Sequence, residues 1–276
     1  MKKIIVLGLL VLFSASCENN SAKTATKNTH DSVVVTKNNV KIDSLKTKIS
    51  QNENPNDAMF ASNVNIVYEP SGRIQAVYQS NWGYREMSRT EIPSTSNIIG
   101  LFCVENNAYY LKQTKITFKD DVDDCSGDAT LSLVSEAKFL FLNFTNYNKN
   151  KIQSILLKDR EMLPNEKFTF DFGSKQYELE AFGEKGIDEY NVKNYSLVYS
   201  IKGMTRKQTI VNIPKIEGTS VQLLFIGDLD GDGKPDIILN APSNYENQII
   251  MVFLSSTAKK GDYLRCEAQK SDWFDC

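Results

Sequence analysis

Four aspartates stand at alternate positions of one short stretch. Asp228, Asp230, Asp232 and Asp236 occupy positions 1, 3, 5 and 9 of Asp228-Leu229-Asp230-Gly231-Asp232-Gly233-Lys234-Pro235-Asp236. Carboxylates at this spacing converge when the chain wraps around a hard divalent cation such as calcium, which takes roughly six to eight oxygen ligands. Gly231 and Gly233 permit the positive φ that tight wrapping requires. Without an ion, two carboxylates about 5 Å apart repel by about 3 kcal/mol at an effective dielectric of about 20, before screening. Calcium binding is the chemistry this pattern suits; a solvated acidic turn is the alternative reading.

The elements on either side, 221–226 and 237–239, read as strands. That argues against an EF-hand, which begins in the same way but is flanked by helices and needs a bidentate Glu at its twelfth position. Leu239 stands there. The stretch 228–242, ending Asn240-Ala241-Pro242, instead resembles the calcium loop of FG-GAP/VCBS-type repeats, as in integrin α-chain propellers. That resemblance implies Ca2+ as the bound ion, with Asp228, Asp230, Asp232 and Asp236 as side-chain ligands and Lys234 lending its backbone carbonyl. Asn240 departs from the glycine that precedes Ala-Pro in that family. A propeller needs several blades, and no further copy of the loop occurs in the chain. The acidic stretch 120–128 lacks the 1-3-5-9 order and reads as a solvated, disulfide-tied loop.

The segments that must carry this loop alternate with a period of two. Phe168, Phe170 and Phe172, then Gly173-Ser174-Lys175, then Tyr177, Leu179 and Ala181 spell a hairpin. Residues 195–201 and 208–213 around Lys202-Gly203-Met204 give a second, and 64–68 with 74–78 around Pro70-Ser71-Gly72 a third. Further strands are expected at 98–104, 109–118, 130–134, 139–144, 221–226, 237–239 and 249–254. Only 151–158 is ambiguous between helix and strand. The fold class is therefore mainly β, a β-sandwich or irregular antiparallel β-domain with one calcium loop between strands. The 14 Phe and 12 Tyr residues read mostly as core and cross-strand partners.

The inventory excludes several functions. The one histidine of 276 residues is His30, upstream of every expected strand, so Ser–His–Asp, Cys–His and other His-based mechanisms are absent from the domain. No phosphate-binding glycine loop, dinucleotide fingerprint or nucleophile elbow is present. Lys and Arg number 32 against 34 acids, a net charge of −2, so no basic bias favours nucleic acid. A binding, adhesion or envelope scaffold module is favoured over an enzyme. The alternative is a glycosidase-like hydrolase using paired carboxylates, which are plentiful although no spacing singles out a pair.

The amino terminus reads as a targeting segment. Lys2 and Lys3 precede an apolar run, 4–13, too short for a bilayer span and suited to a signal peptide. Ser14-Ala15-Ser16-Cys17 resembles the lipobox of bacterial lipoproteins, with Ser14 in place of the usual leucine. The resemblance implies lipidation of Cys17; ordinary secretion with cleavage near Ser16 is the alternative. The organisation expected is a signal peptide over 1–16, a lipidated tether over 17–57 and an extracytoplasmic domain over 58–276. The tether is rich in Asn, Lys, Ser and Thr, has no aromatic residue and, apart from Val33-Val34-Val35, offers little that could form a core. Glu18 is not the aspartate associated with inner-membrane retention, which favours the outer membrane. Partners would be the membrane, through the lipid, and an envelope or extracellular protein or glycan. Cys103, Cys125, Cys266 and Cys276 suggest two disulfides in an exported chain. Their separations favour Cys103 with Cys125 and Cys266 with Cys276. Zinc is excluded, since no close Cys pair exists and the domain has no histidine.

Overall fold

Alternating residues become antiparallel pairs throughout. Phe168 faces Leu179 and Phe170 faces Tyr177 across a turn at Gly173 (φ 58°), so the hairpin written into residues 168–181 forms in the expected register. The computed structural model describes residues 70–104, 108–158 and 160–274, all within the unit Asn63–Cys276. In chain order the strands are β1 (Ala76–Gln79), β2 (Gly83–Tyr84), β3 (Ile98–Val104), β4 (Ala108–Gln113), β5 (Thr117–Val122) and β6 (Ala129–Val134). Then come β7 (Phe139–Leu142), β8 (Lys151–Ile152), β9 (Arg160–Met162), β10 (Lys167–Phe172), β11 (Lys175–Lys185) and β12 (Val192–Ile201). The last are β13 (Lys207–Ile216), β14 (Val221–Gly227), β15 (Asp236–Asn240), β16 (Asn247–Leu254) and β17 (Arg265–Trp273). The domain is mainly β and antiparallel, as its patterning predicts.

Four sheets result, ordered β1-β7-β3-β4-β8, β10-β11-β12-β13, β17-β16-β15-β14-β9 and β2-β6-β5. Side chains alternate between the faces of a strand, so the residues that share each core reveal the stacking. Ile237, Leu239, Ile249, Met251 and Phe253 join Leu179, Leu197 and Tyr199 in one core. Their neighbours Ile238, Ile250, Val252 and Leu254 join Ile99, Leu101, Phe139 and Phe141 in a second. Leu140, Leu142 and Phe102 point the other way, toward Leu131, Leu133 and Tyr84. The β14–β17 sheet is thus covered on both faces, as is the β1–β7–β3 region. All eight residues of β16 are buried, and burying each large apolar side chain is worth about 1.5–3 kcal/mol. This doubly covered sheet carries the acidic loop.

Several expectations are revised. Residues 109–118 divide into β4 and the start of β5, which belong to different sheets. The ambiguous stretch 151–158 is extended: β8 pairs with β4, and Ser154 bridges Gly227. β1 pairs with β7, and its expected partner 64–68 lies outside the described residues. The acidic stretch 120–128 begins as β5 and closes in a turn whose Cys125 and Ser126 amides donate to Asp123 Oδ1. β17 was not anticipated at all.

The cysteines differ from the local pairings as well. Among the described residues Cys103 does not bridge Cys125 as expected; Cys125 is disulfide-bonded, but to neither Cys103 nor Cys266. Cys266 retains its thiol, buried in β17 and directed at the Ala268 carbonyl oxygen 3.7 Å away. Cys103 and Cys125 lie in separate sheets' strands and turns, which the count of intervening residues does not reveal. Cys276 and Cys17, like the signal peptide and tether, lie outside the described residues. Among the described residues no helix is long and apolar enough to cross a membrane.

Candidate metal centre

The acidic loop connects β14 to β15 in the middle of that doubly covered sheet. Gly227 and Asp236 close the hairpin as its last pair. Gly227 admits no side chain: a Cβ there would meet the Phe225 ring at 2.6 Å and the Gln153 carbonyl oxygen at 2.7 Å. This close approach lets the 148–154 segment run beside the loop. Asp228 N–H donates to the Gln153 carbonyl (3.0 Å), and Asn148 N–H donates to that of Leu229 (2.8 Å). Leu229 is fully buried and joins the core shared with the β1–β7–β3 region. Gly231 and Gly233 have φ of 80° and 78°, the left-handed conformation that glycine adopts without a Cβ penalty.

That winding brings three carboxylates together. One oxygen from each of Asp228, Asp230 and Asp236 lies within 4.8 Å of the others. Asp228 accepts from the Gly231, Asp232 and Gly233 amides at 2.7, 3.1 and 3.1 Å, which fixes the turn. Asp236, with no exposed surface, accepts from the Leu229 amide (2.7 Å) and the Ser255 amide (2.8 Å). Asp230 accepts through Oδ2 from the Ser256 hydroxyl. Its Oδ1 is buried and has no hydrogen-bond partner. A buried acceptor left unpaired costs about 1–3 kcal/mol, and a cation would satisfy it.

The other two expected ligands, Asp232 and Lys234, pair with each other through their side chains. The Asp232 carboxylate accepts from the Lys234 amide (2.9 Å), the Lys234 ammonium (2.9 Å) and the Ser255 hydroxyl (3.0 Å to Oδ2). It stands outside the three-carboxylate cluster. Lys234 contributes its ammonium to that ion pair, a contact that raises its own pKa. Asn240 accepts from the Ile249 amide through its side chain (2.9 Å) and so ties β15 to β16.

Electrostatics favour a cation here. Burial drives the Asp236 carboxyl well above the usual carboxylate range, and the nearby Asp230 charge adds to it, while the Ser255 and Leu229 amides oppose it. Burial likewise raises Asp230, against the Ser256 hydrogen bond and the Arg73 charge. Each carboxylate offers about four lone-pair directions, so the amides that hold Asp228 and Asp236 leave acceptor capacity. An all-oxygen donor set of this kind fits calcium better than softer metals.

Three residues at the site escape sequence reasoning. Ser255 and Ser256 follow β16, and Arg73 precedes β1 with its Nη2 3.7 Å from Asp230 Oδ2. Nothing in the local sequence connects them to a loop that is about 20 residues away for the serines and more than 150 for the arginine. Only strand pairing does so. No curated protein and no solved structure shows a significant match to this chain. Residues 223–252, running from within β14 through the acidic loop and β15 into β16, match the FG-GAP repeat family.

Proposed function

We propose that this protein is a calcium-binding module that presents its β-domain outside the cytoplasm, anchored to a membrane, for a protein or glycan partner. The observation that carries the ion is the convergence of Asp228, Asp230 and Asp236 around the buried, unpartnered Oδ1 of Asp230. The FG-GAP repeat over the same residues supports it, because such repeats often bind calcium and occur in binding and adhesion modules. Asp228, Asp230 and Asp236 would hold the ion, with Asp232 and the Lys234 carbonyl as the further ligands the resemblance implies. Calcium here supplies rigidity: it satisfies the acidic loop and fixes the β14–β15 hairpin. Three carboxylates already held by amides, hydroxyls and a guanidinium leave little room for a substrate, so the ion's role is structural.

The anchor rests on the sequence: the short apolar run and the small residues before Cys17 support a lipid-modified N-terminus. At about 0.8 kcal/mol per buried CH2, two or three acyl chains would hold the chain to a bilayer, preferably the outer membrane. The 17–57 tether would then hold the domain away from the surface. Calorimetric titration of the metal-free protein with calcium tests the ion: one site per chain is expected, and no heat of binding overturns the reading. Detergent-phase partitioning tests the anchor. Wild type expressed in a bacterium should enter the detergent phase and Cys17→Ser should not; if both stay aqueous, the anchor is wrong.

A further inference from the structure

We propose that Arg73 is a built-in counter-cation that sets how tightly the acidic loop binds its ion, and that it couples ion binding to the segment leading into the domain. The proposal rests on the calcium reading above. The Arg73 side chain is mostly enclosed (21% exposed), and the Asp230 side chain beside it is wholly enclosed. Arg73 Nε donates to the Thr145 carbonyl (3.1 Å), Nη2 to the Asn146 carbonyl (3.0 Å) and Nη1 to the Ser256 hydroxyl (3.0 Å). Asn146 has φ of 54°, a left-handed conformation that Asn tolerates better than most residues. Ser256 in turn donates to Asp230 Oδ2. Arg73 and Ser256 therefore cover one oxygen of Asp230 and leave Oδ1 open toward Asp228 and Asp236.

Arginine is a permanent cation whose planar fork suits several acceptors at once. Its contacts to Thr145, Asn146 and Ser256 hold it beside Asp230. Without calcium its charge offsets part of the repulsion among the three carboxylates. With calcium the same charge stands one carboxylate away from a divalent cation and opposes it. Lys234 is tied chiefly to Asp232, with which its ammonium pairs, whereas Arg73 reaches Asp230 itself. The segment around Arg73 is also fixed at other points. The Ser71 amide and hydroxyl donate to Glu267 Oε2 at 3.0 and 2.7 Å, and the Thr145 amide donates to the Arg73 carbonyl at 3.0 Å. Coupling is reciprocal. If Arg73 weakens ion binding, the ion must weaken the docking of residues 71–73.

Two measurements test this. In calorimetric titrations with calcium, Arg73→Gln should bind more tightly than wild type by about 5- to 150-fold, the usual span of coupling between sites. Arg73→Lys keeps the charge and should stay within about threefold of wild type. Equal or weaker binding by Arg73→Gln overturns the proposal while leaving the calcium site intact. Equal tightening by both variants assigns the effect to lost hydrogen bonds and also overturns it. If wild type itself binds no calcium, the underlying reading fails and this inference with it. Hydrogen exchange of wild type provides the second readout and needs no variant to fold. Calcium should slow exchange in the 228–236 loop yet speed it at the Ser71 and Thr145 amides. Slower or unchanged exchange at those two amides overturns the coupling.

Discussion

Replacing Asp230 with asparagine separates the two consequences of the acidic loop. The variant keeps the shape of the side chain and removes one of three charges that lie within 4.8 Å of one another. At that distance and an effective dielectric of about 20, each ionised pair repels by about 3 kcal/mol. Asp230 takes part in two such pairs, and its attraction to Arg73 at 3.7 Å offsets roughly one of them. The net relief in the ion-free protein is therefore of the order of 1–3 kcal/mol, allowing for protonation of the buried carboxylates. The same change removes the one buried acceptor that lacks a partner in the cluster, and with it the proposed calcium site. For wild type, calcium at about 100 times its Kd adds about 2.7 kcal/mol by mass action. In a domain of this size, about 1 kcal/mol moves Tm by about 2–4 °C. Thermal melts of both proteins in calcium and in chelator form the assay. Wild type should melt about 5–10 °C higher with calcium, whereas Asp230→Asn should melt at one temperature in both, at or above that of chelated wild type. Identical wild-type curves in calcium and chelator would show that the loop is an acidic turn. A calcium shift that persists in Asp230→Asn would refute its place at the centre of the site.

Three further outcomes are expected. Because burial raises Asp236 and Asp230, the ion-free fold binds protons more readily than the unfolded chain, whose carboxylates titrate near 4. Its stability therefore falls as pH rises through the raised folded values, while calcium needs the ionised forms. The calcium-induced rise in Tm should be larger at about pH 7.5 than at about pH 5.5, and a pH-independent rise would contradict the burial argument. Gly227→Ala should destabilise by about 1–3 kcal/mol in urea, because the new methyl collides with the Phe225 ring and the Gln153 carbonyl; an unchanged midpoint would mean that the 148–154 segment does not press on the loop. Burial pushes the Cys266 thiol up to about 12, so at pH 8 it should resist alkylation in the native protein and react once denatured, as peptide mapping would show.

What local patterning determines is clear in β10–β13. Their apolar residues alternate, one face is buried and the other carries charge, so spacing alone sets register and turn. The acidic loop was legible for a similar reason: ligands drawn from one turn of chain must be close in sequence, and two glycines mark where it bends. In β7 and β16 the same rule loses its information. Phe139–Leu142 and Asn247–Leu254 are buried on both faces, and a run of apolar residues does not say which neighbour covers which side. The order in which the four sheets stack was therefore decided by tertiary packing. β17 was hidden for the converse reason. Its Glu267 and Asp272 look like surface residues, yet they are buried, Glu267 accepting from Ser71 through Oε2 and Asp272 from the Trp82 indole. Those partners lie some 190 positions earlier. Arg73, Ser255 and Ser256 reach Asp230 and Asp236 by the same kind of long-range closure. The sequence by itself determined the alternating strands, their turns and the carboxylates of the loop, because each depends on neighbours within a few residues. The tertiary structure alone decided the cysteine environments, the stacking of the sheets and the charges around the carboxylates, because a buried polar group takes whatever partner the fold brings near.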